Sequence, residues 1–115
     1  MTYHGITTDR QFKSATGYSK DNFRVLLSDF EKTYEEEFGQ PYEDYVRENV
    51  TEPPKLQTLE SCLFFTLFQM KNDMLWDSLG FVFGMSGTAA HDNFKKYAAM
   101  LGRTLSKKRD AETYL

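Results

Sequence analysis

Apolar positions along this chain recur every three or four residues, and no segment alternates apolar and polar residues as a half-buried strand would. The clearest element lies in "YSKDNFRVLLSDFEKTYEEEFG", where Phe23, Leu26, Leu27, Phe30, Tyr34 and Phe38 share one helical face. Ser19 suits its N-cap, Asp21 complements the positive end of the helix dipole, and Gly39 stands just past its end. Glu31, Glu35, Glu36 and Glu37 are predicted to form a solvated outer face. A short helix in "TTDRQFKSATG", capped by Thr8 and stopped at Gly17, precedes it, and another begins at Pro41 in "QPYEDYVREN".

"NVTEPPKLQ" interrupts the pattern. Pro53 and Pro54 cannot continue a helix and push Glu52 toward extended geometry, so the stretch reads as a hinge between residues 1–52 and 55–115. Either part alone is small, and the two are expected to pack together as one domain. In "LQTLESCLFFTLFQMKND", capped by Thr58, Leu59, Leu63, Leu67 and Met70 form one stripe and Cys62, Phe65 and Phe68 another. A helix apolar nearly all round is a central, buried one. "MLWDSLGFVFG" then gives a short helix with Leu75, Leu79, Val82 and Phe83 inward, ended by a left-handed Gly84.

Ser86 is placed to cap the last helix, on which Ala90, Phe94, Tyr97, Leu101 and Leu105 form a core-facing stripe over four turns. At 100° per residue its opposite face carries Thr88, Asp92, Lys95, Ala99 and Arg103, flanked by His91 and Lys96. Small residues in its first turn, among them Gly87 and Thr88, would let its backbone approach a groove. The expected fold is therefore all-α: a small helical domain with a C-terminal tri-helical helix-turn-helix, preceded by an acidic amphipathic helix. Such domains put the second helix of the pair into the major groove of DNA.

Composition changes this picture in three places. Ten Phe, seven Tyr and one Trp in 115 residues are ample material for a core. No apolar run approaches the roughly 20 residues that span a bilayer, and "MTYHGITTDR" has no signal-peptide pattern, so no membrane partner and a cytoplasmic location, nucleoid-associated when bound, are expected. Cys62, the one cysteine, excludes an internal disulfide and sits in "SCLFFTLF" as a buried small hydrophobe. Net charge is −3, but residues 1–54 hold six Lys and Arg against eleven Asp and Glu, and residues 55–115 hold eight against six. Lys95, Lys96, Arg103, Lys107, Lys108 and Arg109 follow one another without an intervening acid. That back end is where phosphate contacts are expected. His4 and His91 lack ligand partners at a metal-binding spacing, and Gly80, Gly84 and Gly87 do not form a phosphate loop, so neither metal, cofactor nor enzymatic activity is expected.

"LESCLFFTLFQMKNDMLWDSLGFVFGMSGTAAHDNFKKYAAML" carries Leu67, Met70 and Asn72, then Asp77, Leu79, Gly80, Phe83, Gly84, Met85 and Ser86, then Phe94, Lys96 and Tyr97. In that order these positions resemble the N-terminal helix-turn-helix of insertion-sequence transposases of the DDE superfamily. Upstream, "TGYSKDNFRVLLSDFE" is similar to the helix that precedes it in those proteins, so the likeness covers about residues 12–105. The resemblance implies double-stranded DNA as partner, the terminal repeats of a mobile element in particular. The three metal-binding acids of those transposases belong to a further, catalytic domain, and the resemblance leads us to expect none of it within these 115 residues. The chain then reads as part of a longer transposase, the first product of a split reading frame, or a stand-alone relic. The DNA-contacting set is Gly87, Thr88, His91, Asp92, Lys95 and Lys96, with Arg103, Lys107, Lys108 and Arg109 behind.

Asp92 departs from the family pattern, which has arginine there. It suits acceptance from cytosine N4, and equally a pair with Lys96 one turn on. A rival reading takes the chain as a non-enzymatic interaction or dimerisation module, using the acidic helix and the aromatics of "PYEDYV" and "TYL" for a partner or a second copy.

Overall fold

The computed structural model describes residues 8–49 and 54–113, and these form six α-helices with no strand among them. They are α1 (Asp9–Thr16), α2 (Lys20–Phe38), α3 (Tyr42–Asn49), α4 (Leu59–Asn72), α5 (Trp76–Phe83) and α6 (Gly87–Thr113). No helix among the described residues is long and apolar enough to cross a membrane. The ends are set by local chemistry. Thr8, Ser19 and Thr58 each accept a hydrogen bond from the backbone N–H three residues on, which satisfies one of the free amides of a first turn. Of the hinge, residues 50–53 lie outside the described residues.

Helix α4 is the centre of the fold. Cys62, Leu63, Phe64, Phe65, Thr66, Leu67, Phe68 and Gln69 are all buried, as its near-continuous apolar sequence requires. Aromatic rings join the other helices to it. Phe12 of α1 meets Phe23 of α2 edge-on at 5.0 Å and Phe64 at 5.8 Å, and Phe83 of α5 meets Phe65 edge-on at 4.9 Å and Phe68 at 5.4 Å. Offset and edge-to-face rings of this kind hold their geometry as well as burying area. Tyr42, grouped in the sequence with exposed interaction aromatics, is buried: its hydroxyl donates to the Leu56 carbonyl at 2.5 Å. Tyr45 of the same segment is half-buried, stacked edge-on to Phe38, and the "TYL" side chains lie outside the described ones.

Three positions expected in the core, Met70, Leu75 and Leu105, are outside it. Met70 is 57 % exposed, while Gln69 turns inward and clamps the α4–α5 turn, donating to the Met74 carbonyl at 2.8 Å and accepting from its N–H at 3.0 Å. Leu75 is 80 % exposed because it is the extended N-cap of α5, where helical spacing does not apply. Leu105 is 39 % exposed, while Met100, Leu101 and Thr104 of the same stretch of α6 are buried. Thr104 donates to Met100 O at 2.9 Å and lies 2.9 Å from the Thr33 hydroxyl of α2, a buried polar pair at the crossing.

Candidate nucleic-acid interface

The α5–α6 corner is built from three small features. Gly84 has φ 76° and closes α5, its N–H bonded back to the Gly80 carbonyl. Gly80 is where the turn folds over the helix: a Cβ there would stand 2.4 Å from the Met85 carbonyl oxygen and 2.8 Å from Ser86 backbone atoms. Ser86 then caps α6, its hydroxyl accepting from Ala89 N–H at 3.1 Å and its carbonyl from Ala90 N–H at 2.9 Å. Only Gly84, Met85 and Ser86 separate the two helices.

This corner presents the first turns of α6 outward. Thr88, His91, Asp92 and Lys95 are exposed, and Ala90 beneath them is buried against the core. His91 is oriented by Trp76, whose ring meets it edge-on at 4.8 Å and also packs on Phe94 at 5.6 Å. Its Nδ1 lies 3.7 Å from Asp92 Oδ1. Asp92 therefore faces His91, and no Asp92–Lys96 pair exists among the described residues. A groove of about 660 Å³ lies between the helix starts, walled by Leu75, Trp76, Ser78, Thr88 and His91.

Gly87 makes room for a neighbouring side chain. A Cβ on it would fall 2.0 Å from Asp77 Oδ1, so its missing side chain admits the Asp77 carboxylate to the N-terminus of α6. A carboxylate there is favoured by the helix dipole. Asp77, one of the positions that carry the resemblance, thus has a structural role at the start of α6.

The basic residues do not form one surface. Lys95 is exposed and has no ion pair among the described residues. The Lys96 ammonium lies back over the Phe38 and Tyr97 rings, 5.3 and 5.2 Å from their centroids. Arg103 grips Glu37 with two hydrogen bonds of 2.5 and 2.9 Å, Lys107 meets Glu36 at 2.5 Å, and Lys108 meets Asp29 at 3.4 Å. Three of the cations expected to meet phosphate are therefore held by carboxylates of α2, two of them by Glu36 and Glu37, which were expected to be only solvated, and the third by Asp29. Arg109 is exposed on the last described turn of side chains. Arg103 holds the Glu37 carboxyl below its ordinary value of 4.5. At the other side of α2, burial and the neighbouring Glu43, Glu35 and Glu60 push Glu31 up.

Cys62 lies behind this surface, fully buried among aromatic rings. Burial pushes its thiol up to about 11, and hydrogen bonds with Tyr97 and Tyr42 offset this only in part. A thiol rather than a thiolate at neutral pH is a poor nucleophile. Iodoacetamide at pH 8 is expected to leave Cys62 unmodified in the native protein and to label it in denaturant, read by intact mass. Rapid labelling without denaturant would mean that α4 opens locally.

Comparison with protein-family models, with curated proteins and with solved structures gives no match for this chain.

Proposed function

We propose that this chain is a DNA-binding domain of a transposase-like protein, recognising the end sequences of a mobile element through the helix that starts after Ser86. The observation that carries the reading is the α5–α6 corner, a three-residue turn that leaves Thr88, His91, Asp92 and Lys95 exposed on the first turns of a capped helix. In a helix-turn-helix the first turns of the second helix reach the base edges. Thr88 offers a hydroxyl and a methyl, His91 a ring nitrogen, Asp92 an acceptor for cytosine N4, and Lys95 a cation for guanine or phosphate. The sequence resemblance to transposase domains supports the same reading, and catalysis is no part of it.

The test is selection from a randomised duplex pool at low and near-physiological salt. An enriched motif that survives the higher salt is the expected result, and Lys95→Glu should weaken its retention about tenfold or more. Thr88→Ala and Asp92→Ala should change the motif while leaving phosphate binding in place. Absence of retention at either salt would overturn the proposal. The second reading, an interaction or dimerisation module, draws on Leu75 and on Phe81, which is 88 % exposed on α5. Concentration-dependent sedimentation, abolished by Phe81→Ser and accompanied by no DNA retention, would favour it.

A further inference from the structure

We infer that the acidic helix α2 is a built-in competitor for DNA phosphate, holding the basic end of α6 in ion pairs that a bound duplex must exchange. This rests on the DNA-binding reading and concerns how strongly, and with what salt dependence, that binding occurs.

The 27 residues of α6 span about 40 Å, far more than the roughly 12 Å width of the major groove. When its first turns sit in the groove, its later turns lie beyond the groove edge, where phosphates are the available partners. Arg103 and Lys107 stand on those later turns, one turn apart and on the side of the helix that also carries Lys96, about 80–120° round from Lys95 at 100° per residue. Both are about half exposed, so each head group can swing without moving the backbone. Their partners Glu37 and Glu36 project from the last turns of α2, which is fixed against α6 independently, by the Thr33–Thr104 contact and by Phe30 packed on Tyr97 at 6.5 Å. The carboxylates are therefore set beside the cations by the core, and stay there whether or not the cations leave.

The consequence is electrostatic. A free cation that meets a phosphate releases a condensed counterion from the DNA and steepens the salt dependence of binding by about 0.9 per contact. A cation taken from a carboxylate leaves that carboxylate to recruit its own counterion, and the net release is close to zero. The intact protein is expected to bind with a shallow salt dependence, set mainly by Lys95. Release of the two pairs should deepen it.

The experiment is fluorescence anisotropy with a labelled mixed-sequence duplex of two helical turns, across a salt series. Four full-length proteins are compared: wild type, Glu36→Gln/Glu37→Gln, Glu31→Gln/Glu35→Gln, and the first pair combined with Arg103→Gln/Lys107→Gln. The second double variant makes the same charge change on the same helix at glutamates with no basic partner among the described residues. Releasing the latch should tighten binding at low salt roughly 3- to 10-fold and steepen the slope of log K against log salt by up to about 1.8. The control pair should do neither, and removing Arg103 and Lys107 should erase the gain. Equal gains from both glutamate pairs would overturn the inference, because net charge alone would then explain them. Wild-type affinity and slope in the first variant would overturn it while leaving the DNA-binding reading intact. Failure of all four proteins to bind would remove both.

Discussion

Truncation of Phe65 to alanine is expected to remove most of the stability of this domain, about 3–5 kcal/mol. Phe65 is fully buried in the middle of the central helix, and its ring is the edge-on partner of Phe83 at 4.9 Å. The loss combines two effects: the apolar area no longer withdrawn from water, and a cavity that the surrounding rings cannot collapse to fill. Collapse is hindered because Phe83 is also held by Phe64 and Phe68, at 6.2 and 5.4 Å. Small domains have only about 5–15 kcal/mol in total, so a variant with a strongly lowered denaturation midpoint, or one that fails to fold, is the expected result. Urea unfolding followed by far-UV circular dichroism measures it. A loss below about 1 kcal/mol would mean that α5 repacks on α4 without the ring. Because Phe83 ends at the turn into α6, DNA retention should fall with the folded fraction and not before it.

Gly80→Ala comes second, and its sign is opposite to what helix propensity suggests. Alanine in place of glycine inside a helix stabilises by about 1 kcal/mol in an unpacked setting. Here the added methyl would meet the Met85 carbonyl oxygen at 2.4 Å and Ser86 backbone at 2.8 Å. These are main-chain atoms of a three-residue turn and cannot rotate aside like a side-chain end. The corner must open, which costs the Met85 N–H bond to Gly80 O, 2.8 Å in the native structure, and tilts the capped start of α6. Overpacking against rigid neighbours costs roughly 1–3 kcal/mol or more, and a net loss of about 2 kcal/mol is expected in urea unfolding. If the DNA reading holds, this variant should also lose affinity at temperatures where it remains folded. Gly84, at φ 76° with open space around it, makes a useful contrast. Its substitution is strained by backbone conformation alone, without a clash.

How much of this could be seen beforehand differs between elements. Helix starts and ends were legible because they depend on residues within one turn: Thr8, Ser19, Thr58 and Ser86 cap where their side-chain chemistry says, and Gly17, Gly39 and Gly84 are left-handed where the helices stop. The all-helical class and the central position of α4 follow likewise from spacing and composition. The length of α6 was less legible, since its polar final turns carry little periodic signal.

The amino-acid order by itself thus determined the local structure, the central helix and the exposed first turns of α6. These depend on propensity, capping and the sign of the hydrophobic effect, all of which act over a few residues. Tertiary structure alone decided what met what: Gln69 inward and Met70 outward, Asp77 against Gly87, and the α2 carboxylates on Arg103, Lys107 and Lys108. A charge run looks the same in sequence whether it faces solvent or a helix of opposite sign some 70 residues away. Only the crossing of α2 over α6 at Thr33 and Thr104 brings the two signs together, because long-range electrostatic partners are selected by how the apolar faces pack.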